Sequence, residues 1–202
     1  MATELGLQDA GIDQEIEGFP WEVLTLEQFL RIPEIKPSLE FIKGRIEQKM
    51  SPNLHHSRFG TKLPERINAV SESAKLGVAF VELRCSFGGE SYVPDISYFS
   101  WNRLPLGSDR RLLDRVTTPP DWSIEILSPG QTVSKLSARL NRLIAKGIRL
   151  GWLIQPGQSR VSIFRPGQPV GMVTTGDILD ADPVLPGFRL AVADLFGWLN
   201  FA

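Results

Sequence analysis

The sequence predicts a single α/β domain: a mixed β-sheet flanked by helices. Three observations predict it. The 202 residues suffice for one compact core, and two full domains would be cramped. Short apolar runs alternate with longer segments of helical spacing, in the order strand, hairpin, strand, helix, strand. No GxGxxG follows a strand and no GxxxxGK(S/T) loop occurs, which excludes a doubly wound dinucleotide fold and a P-loop.

Residues 1–20 read as a flexible, acidic and polar leader, leaving 21–202 as the domain. Trp21 to Arg31 reads as a short helix, capped by Thr25 and stopped by Pro33. Leu39 to Met50 reads as a hairpin turning at Lys43-Gly44. From Leu54 to Leu76 the residues Phe59, Leu63, Ile67, Val70 and Ala74 recur at helical spacing, with Gly77 in the place of a C-cap glycine and Pro64 predicting a kink or a late start. Val78 to Ser86 and Ser91 to Phe99 flank Gly88-Gly89, a hairpin signal. Asn102 to Pro120 is a loop rich in Arg and Pro. Trp122 to Leu127 is a strand ending at Ser128-Pro129-Gly130. A helix spans about Thr132 to Lys146, closed by Gly147, and strands follow at Leu150 to Ile154 and Val161 to Phe164. Short strands and a small helix near Val192 to Leu199 complete the chain.

Composition narrows the function classes. No apolar run is long enough to span a bilayer, and the N-terminus lacks the basic-then-apolar pattern of a signal peptide. With a single cysteine, Cys85, these features predict an intracellular, cytoplasmic protein. One Cys and two adjacent His make a structural zinc site an unsuitable reading. The net charge is −1 at pH 7, so if this chain binds nucleic acid its cations must be concentrated on one face.

The chemistry concentrates on two acids. Val93-Pro94-Asp95-Ile96 and Trp122-Ser123-Ile124-Glu125-Ile126-Leu127 each place a carboxylate among residues that favour burial. A lone strand acid more often faces solvent or pairs with Arg, but two with the same local grammar favour a shared role. A buried carboxylate needs a partner, and a hard divalent cation is a natural one for two acids on neighbouring strands. Such an ion can activate water and stabilise charge on a phosphate. Two carboxylates that merely repelled each other would make Asp95→Asn stabilising in the metal-free protein.

Val93-Pro94-Asp95, then Glu125-Ile126-Leu127-Ser128-Pro129, then Gly147 and Gly151-Trp152-Leu153-Ile154, resemble the Uma-type putative restriction endonuclease family, placed in the PD-(D/E)xK nuclease superfamily. The resemblance runs over roughly residues 20–200. It implies a restriction-endonuclease-like fold, a DNA phosphodiester substrate, Mg²⁺ (or Mn²⁺) as cofactor, and Asp95 and Glu125 as metal ligands, with the site at one edge of the central sheet. The superfamily's lysine normally lies two residues after the second acid, where this chain has Leu127. The family's helix-borne position falls on Arg139, with Lys135 one turn earlier, so Lys135 is the expected catalytic group and Arg139 a phosphate contact. Glu40, in Leu39-Glu40-Phe41-Ile42, resembles a further family acid, with a surface hairpin acid as the equal alternative. His55, in the His55-His56 pair, resembles a family histidine that could contact a phosphate or water, although such a pair is more often plain surface. The acid usual before Pro156 is here Gln155.

Lys135, Arg139, Arg142 and Lys146 recur at steps of four, three and four and so share one helix stripe. A solvated face is the simpler reading for Arg142 and Lys146; the functional reading presents Arg139 and Arg142 to a nucleic-acid backbone. Phe196, Trp198 and Phe201 either pack the last helix or, if exposed, offer a homodimer contact. The rival class is a nuclease-fold protein without catalysis, serving as a binding or assembly module. Leu127, Gln155 and the near-neutral charge argue for it.

Overall fold

A computed structural model describes residues 25–201. The expected leader, and the first four residues of the helix expected from Trp21, lie outside the described residues. The first helix, α1 (Leu26–Phe29), is shorter than its apolar spacing suggested; Thr25 and Gln28 close a capping box at its start. The hairpin forms with the expected turn as β1 (Leu39–Ile42) and β2 (Arg45–Gln48), in the register Glu40↔Glu47.

The helix α2 (Leu54–Ser71) runs through Pro64 and starts where the spacing began. The carbonyl that the Pro64 ring would crowd belongs to Gly60, and Pro64 itself is buried. Gly77 does not cap this helix; it opens β3 (Gly77–Val81). A Cβ at Gly77 would lie 2.3 Å from both the Phe99 carbonyl oxygen and the Tyr98 hydroxyl, so close approach of strands, not helix termination, requires glycine here.

The expected hairpin around Gly88-Gly89 divides between two sheets. Only β4 (Cys85–Phe87) and β5 (Glu90–Tyr92) pair across that turn. They join the first hairpin in a four-stranded sheet of order β2-β1-β5-β4. The chain then passes through Val93-Pro94-Asp95 into β6 (Ile96–Ser100), which pairs with β3 instead. Beyond the loop to Pro120 come β7 (Trp122–Ile126), α3 (Val133–Ala145), β8 (Leu150–Gln155), β9 (Arg160–Phe164) and β10 (Gly171–Thr174). The large sheet has the order β10-β9-β8-β7-β6-β3. Its one parallel pair, β7 with β8, is joined by the α3 crossover. A two-stranded ribbon, β11 (Ile178–Asp180) with β12 (Arg189–Ala191), and α4 (Val192–Gly197) close the chain.

Strand alternation sorts the side chains into two cores. Trp122, Ile124, Ile126, Trp152 and Ile154 face α2, meeting Phe59, Leu63 and Ile67 with Leu195 and Phe196. The opposite face carries Leu153 and Phe164 against Leu136, Leu140 and Leu143 of α3, and reaches Phe87 and Tyr92 of the small sheet. Phe196 is buried and Trp198 partly so, whereas Phe201 is 81% exposed; the last helix therefore packs inward, and only Phe201 is offered outward. Among the described residues no helix is long and apolar enough to cross a membrane.

Candidate active site

Asp95 lies where the chain leaves the small sheet for the large one. The β6–β7 register pairs Ile96 with Ile124; continued by one residue, it sets Asp95 opposite Glu125. Both belong to the α3-facing side of their strands, because their neighbours Ile96, Ile124 and Ile126 face α2. The two acids thus meet at the ends of interior strands, between the two sheets, and not at an edge of the large sheet: β3 and β10 hold those edges. Glu40 reaches the same place from β1. All three carboxylates are buried, with residue exposures of 5% for Glu40 and 3% each for Asp95 and Glu125.

Each acid has a partner. Asp95 Oδ2 accepts from the Ile126 amide at 2.7 Å, and Oδ1 accepts from Lys49 Nζ at 2.5 Å. Lys49 Nζ also donates to the Val93 carbonyl at 2.8 Å. His56 Nε2 lies 3.4 Å from Asp95 Oδ1, and its Nδ1 lies 3.3 Å from Ser128 Oγ. Arg139 holds the other two acids: Nε donates to Glu125 Oε1 at 2.8 Å, while Nη1 and Nη2 donate to Glu40 Oε2 and Oε1, both at 2.7 Å. Glu40 Oε1 accepts as well from the Val93 amide. The Arg139 guanidinium also lies over the Tyr92 ring, 5.3 Å from its centroid.

The electrostatics follow from burial and from which cation serves which acid. Burial raises the Glu125 carboxyl, to about 7; Arg139 opposes this, and the nearby Asp95 charge adds to it. Burial alone would raise Asp95 too, but Lys49 and His56 outweigh it and hold that carboxyl well below the usual range. For Lys49, burial would favour the neutral amine; Asp95, Glu125 and Glu40 together overcome it and keep the ammonium charged. The two acids are therefore pushed in opposite directions, Asp95 toward the charged form and Glu125 toward the protonated one, beside a buried, charged lysine.

The structure thus brings together Asp95, Glu125, Glu40 and Arg139 of the residues expected from sequence. Lys135 is not among them: its side chain is 74% exposed and lies 3.5 Å from Glu47. His55 is exposed on α2, and the neighbouring His56 is the histidine at the acids. Arg142 is half-buried one turn beyond Arg139, near the Tyr92 hydroxyl. Arg139 itself is 11% exposed and engaged by two carboxylates, which leaves it ill placed to clasp a phosphate. Gln155 is buried and donates from Nε2 to Ser162 Oγ at 3.0 Å. Sequence reasoning missed Lys49 and His56.

The partners of Asp95 reverse the sign expected from bare repulsion. Asp95→Asn leaves the Lys49 ammonium buried beside a neutral amide. The metal-free variant should therefore lose about 1–3 kcal/mol of stability, measured by denaturant unfolding in the presence of chelator; a gain in stability would show that repulsion dominates.

The donor set can be tested against a hard divalent ion. Among the described residues no hydrogen bond reaches Glu125 Oε2, and Asp95 Oδ1 is approached only by side chains, Lys49 and His56. Three carboxylates face two cations, Lys49 and Arg139. Carboxylate oxygens without a thiol are the donor type that Mg²⁺ or Mn²⁺ takes, and the set is limited to Asp95 and Glu125: among the described residues no three His, Cys, Asp or Glu side chains are grouped to hold an ion.

The chain matches over residues 26–193 a family model described as Uma2, putative restriction endonuclease. Among solved structures it is similar to a putative nuclease belonging to DUF820 from Anabaena variabilis ATCC 29413. The two share 36% identity and superpose with a TM-score of 0.84, over 88% of this chain and 99% of that one. A cryo-EM structure of a DrdV–DNA complex shares 15% identity with a TM-score of 0.33, over 73% of this chain and 14% of that one. Among curated proteins none matches.

Proposed function

Because the chain belongs to the Uma2 putative restriction endonuclease family, we propose that it is a metal-dependent endonuclease hydrolysing DNA phosphodiester bonds, with Asp95 and Glu125 as the ligands of Mg²⁺ or Mn²⁺. The observation that carries this reading is Lys49: a charged ammonium, its side chain only 12% exposed, set 2.5 Å from Asp95 inside a three-acid cluster. A structural lysine gains little from such a position, since a buried ion pair seldom adds net stability. A lysine that must meet developing negative charge gains a great deal from it.

A divalent ion held by Asp95 and Glu125 would supply Lewis acidity toward water and phosphate oxygens. The chain's own residues do the rest. Lys49 Nζ stabilises the charge that builds on the phosphoryl oxygens, taking the role expected of Lys135. Glu125, whose Oε1 accepts from Arg139, would hold the ion through Oε2. Arg139 fixes Glu125 and Glu40 in place through three hydrogen bonds. His56 and the Ile126 amide orient Asp95.

A second reading, a nuclease-fold module without catalysis, is favoured by one observation: every acid of the cluster already has a protein cation beside it. Nicking of supercoiled plasmid separates the two. With Mg²⁺ or Mn²⁺ the protein should convert it to open-circular or linear DNA, and chelator should stop the conversion. Intact plasmid under all metals, with Mn²⁺ still bound, would favour the module.

A further inference from the structure

The chain as a whole is balanced, with 22 Lys and Arg and 23 Asp and Glu, but the segments that build much of the site are not. Residues 43–62 carry five Lys and Arg against one acid, Glu47, and residues 122–176 carry seven against one, Glu125. Part of this excess collects on the α3-facing side of the small sheet, beyond Glu40. The β1–β2 register sets Arg45 opposite Ile42, so Arg45 shares the face on which Ile42 packs toward α3. The pairing of Phe41 with Ser91, continued by one residue, sets Glu90 in the same row. Glu90 is buried and gathers the other cations. Its Oε1 accepts from the Lys43 amide at 2.8 Å, its Oε2 lies 3.0 Å from Lys146 Nζ, and it accepts from the Tyr92 hydroxyl, which Arg142 approaches. Among the described residues Lys135, Arg139 and Lys146 each pair with an acid, whereas Lys43, Arg45 and Arg142 pair with none. Lys43 and Arg45 are exposed and Arg142 is half-buried. This row stands two residues along the strands from Glu40 and Tyr92, so the uncompensated cations begin about 7 Å from the acid cluster.

Three cations without acids, on the face that continues into the site, suit a polyanion. The row offers no exposed aromatic ring: among the described residues the exposed aromatics, Trp101 and Phe201, lie on other elements. A single strand is held by stacking its bases on such rings. A duplex keeps its bases stacked inside and is held chiefly through its phosphates. Resting on the endonuclease reading above, we infer that Lys43, Arg45 and Arg142 hold backbone phosphates of duplex DNA whose scissile bond lies at Asp95 and Glu125, and that this hold is independent of base sequence.

The test is fluorescence anisotropy in Ca²⁺ with two labelled duplexes of unrelated sequence and with one strand of each. The wild type should bind the two duplexes within about threefold of each other, and each about fivefold or more tighter than its single strand. The logarithm of the duplex binding constant should fall with the logarithm of salt concentration at a slope of about −3. Lys43→Gln and Arg45→Gln should each weaken duplex binding by about fivefold at low salt and reduce that slope by about one, with Mn²⁺ binding and the melting temperature unchanged. Arg66→Gln, exposed on α2 at the other face of the large sheet, should bind as the wild type does. Full duplex affinity in both variants, an equal loss in Arg66→Gln, or a preference for the single strand or for one duplex overturns the inference while leaving the endonuclease reading intact. Mn²⁺ binding with no affinity for any of the oligonucleotides would remove the DNA reading, and the inference with it.

Discussion

Lys49→Ala should lower the rate of metal-dependent DNA cleavage by about 10²–10³-fold, whereas Lys135→Ala should stay within about threefold of wild type, as expected of an exposed ion-pair partner. The contrast comes from placement. Lys49 Nζ is buried among three carboxylates at the point where the two sheets meet. Lys135 extends from the first turn of α3 into solvent, beside Glu47. Because Lys49→Ala also removes the partner of Asp95, its fold must be checked separately. Mn²⁺ binding and the unfolding transition serve that purpose, and Lys49→Met keeps most of the side-chain volume. A Lys49→Ala protein that folds, binds Mn²⁺ and cleaves at the wild-type rate would remove Lys49 from the chemistry. Loss of cleavage in Lys135→Ala alone would restore the helix-borne lysine.

Arg139→Ala should destabilise the protein by about 3–5 kcal/mol, the usual effect of removing one partner from a buried charged pair. Two acids lose their cation at once: Glu40 loses two hydrogen bonds and Glu125 one. The contact with the Tyr92 ring goes too. Arg139→Lys should recover only part of this, since an ammonium cannot span two carboxylates with a planar fork. Denaturant unfolding measures both. A loss below about 1 kcal/mol in Arg139→Ala, the range of exposed pairs, would mean that Glu40 and Glu125 do not depend on it.

The parts of the molecule legible from sequence are those whose signal is local. Asp95 and Glu125 stood out because a carboxylate inside an apolar strand needs a partner wherever the strand lies. The α3 helix was readable from Leu136, Leu140 and Leu143, which form its buried stripe. His56 was also within reach: His56, Phe59, Leu63 and Ile67 recur at steps of three, four and four and are all buried, a stripe that leaves His55 outside. Lys49 required one step more. The hairpin pairs Glu40 with Glu47, and strand alternation then returns Lys49 to the face of Glu40. That parity matters only once the small sheet is known to fold over the ends of β6 and β7. Nothing local told that Ser91 to Phe99 would divide between sheets at Pro94, or that the neighbours of Gly77 would be Phe99 and Tyr98 across a strand pair. Those facts belong to long-range packing.

Titration calorimetry with Mn²⁺ tests the central claim, that Asp95 and Glu125 hold a divalent ion, most directly. The wild type should show a saturable site. Asp95→Ala and Glu125→Ala should each abolish it, while Leu54→Ser, outside the carboxylate cluster, should retain it. Saturable Mn²⁺ binding that persists unchanged in both carboxylate variants would contradict the account.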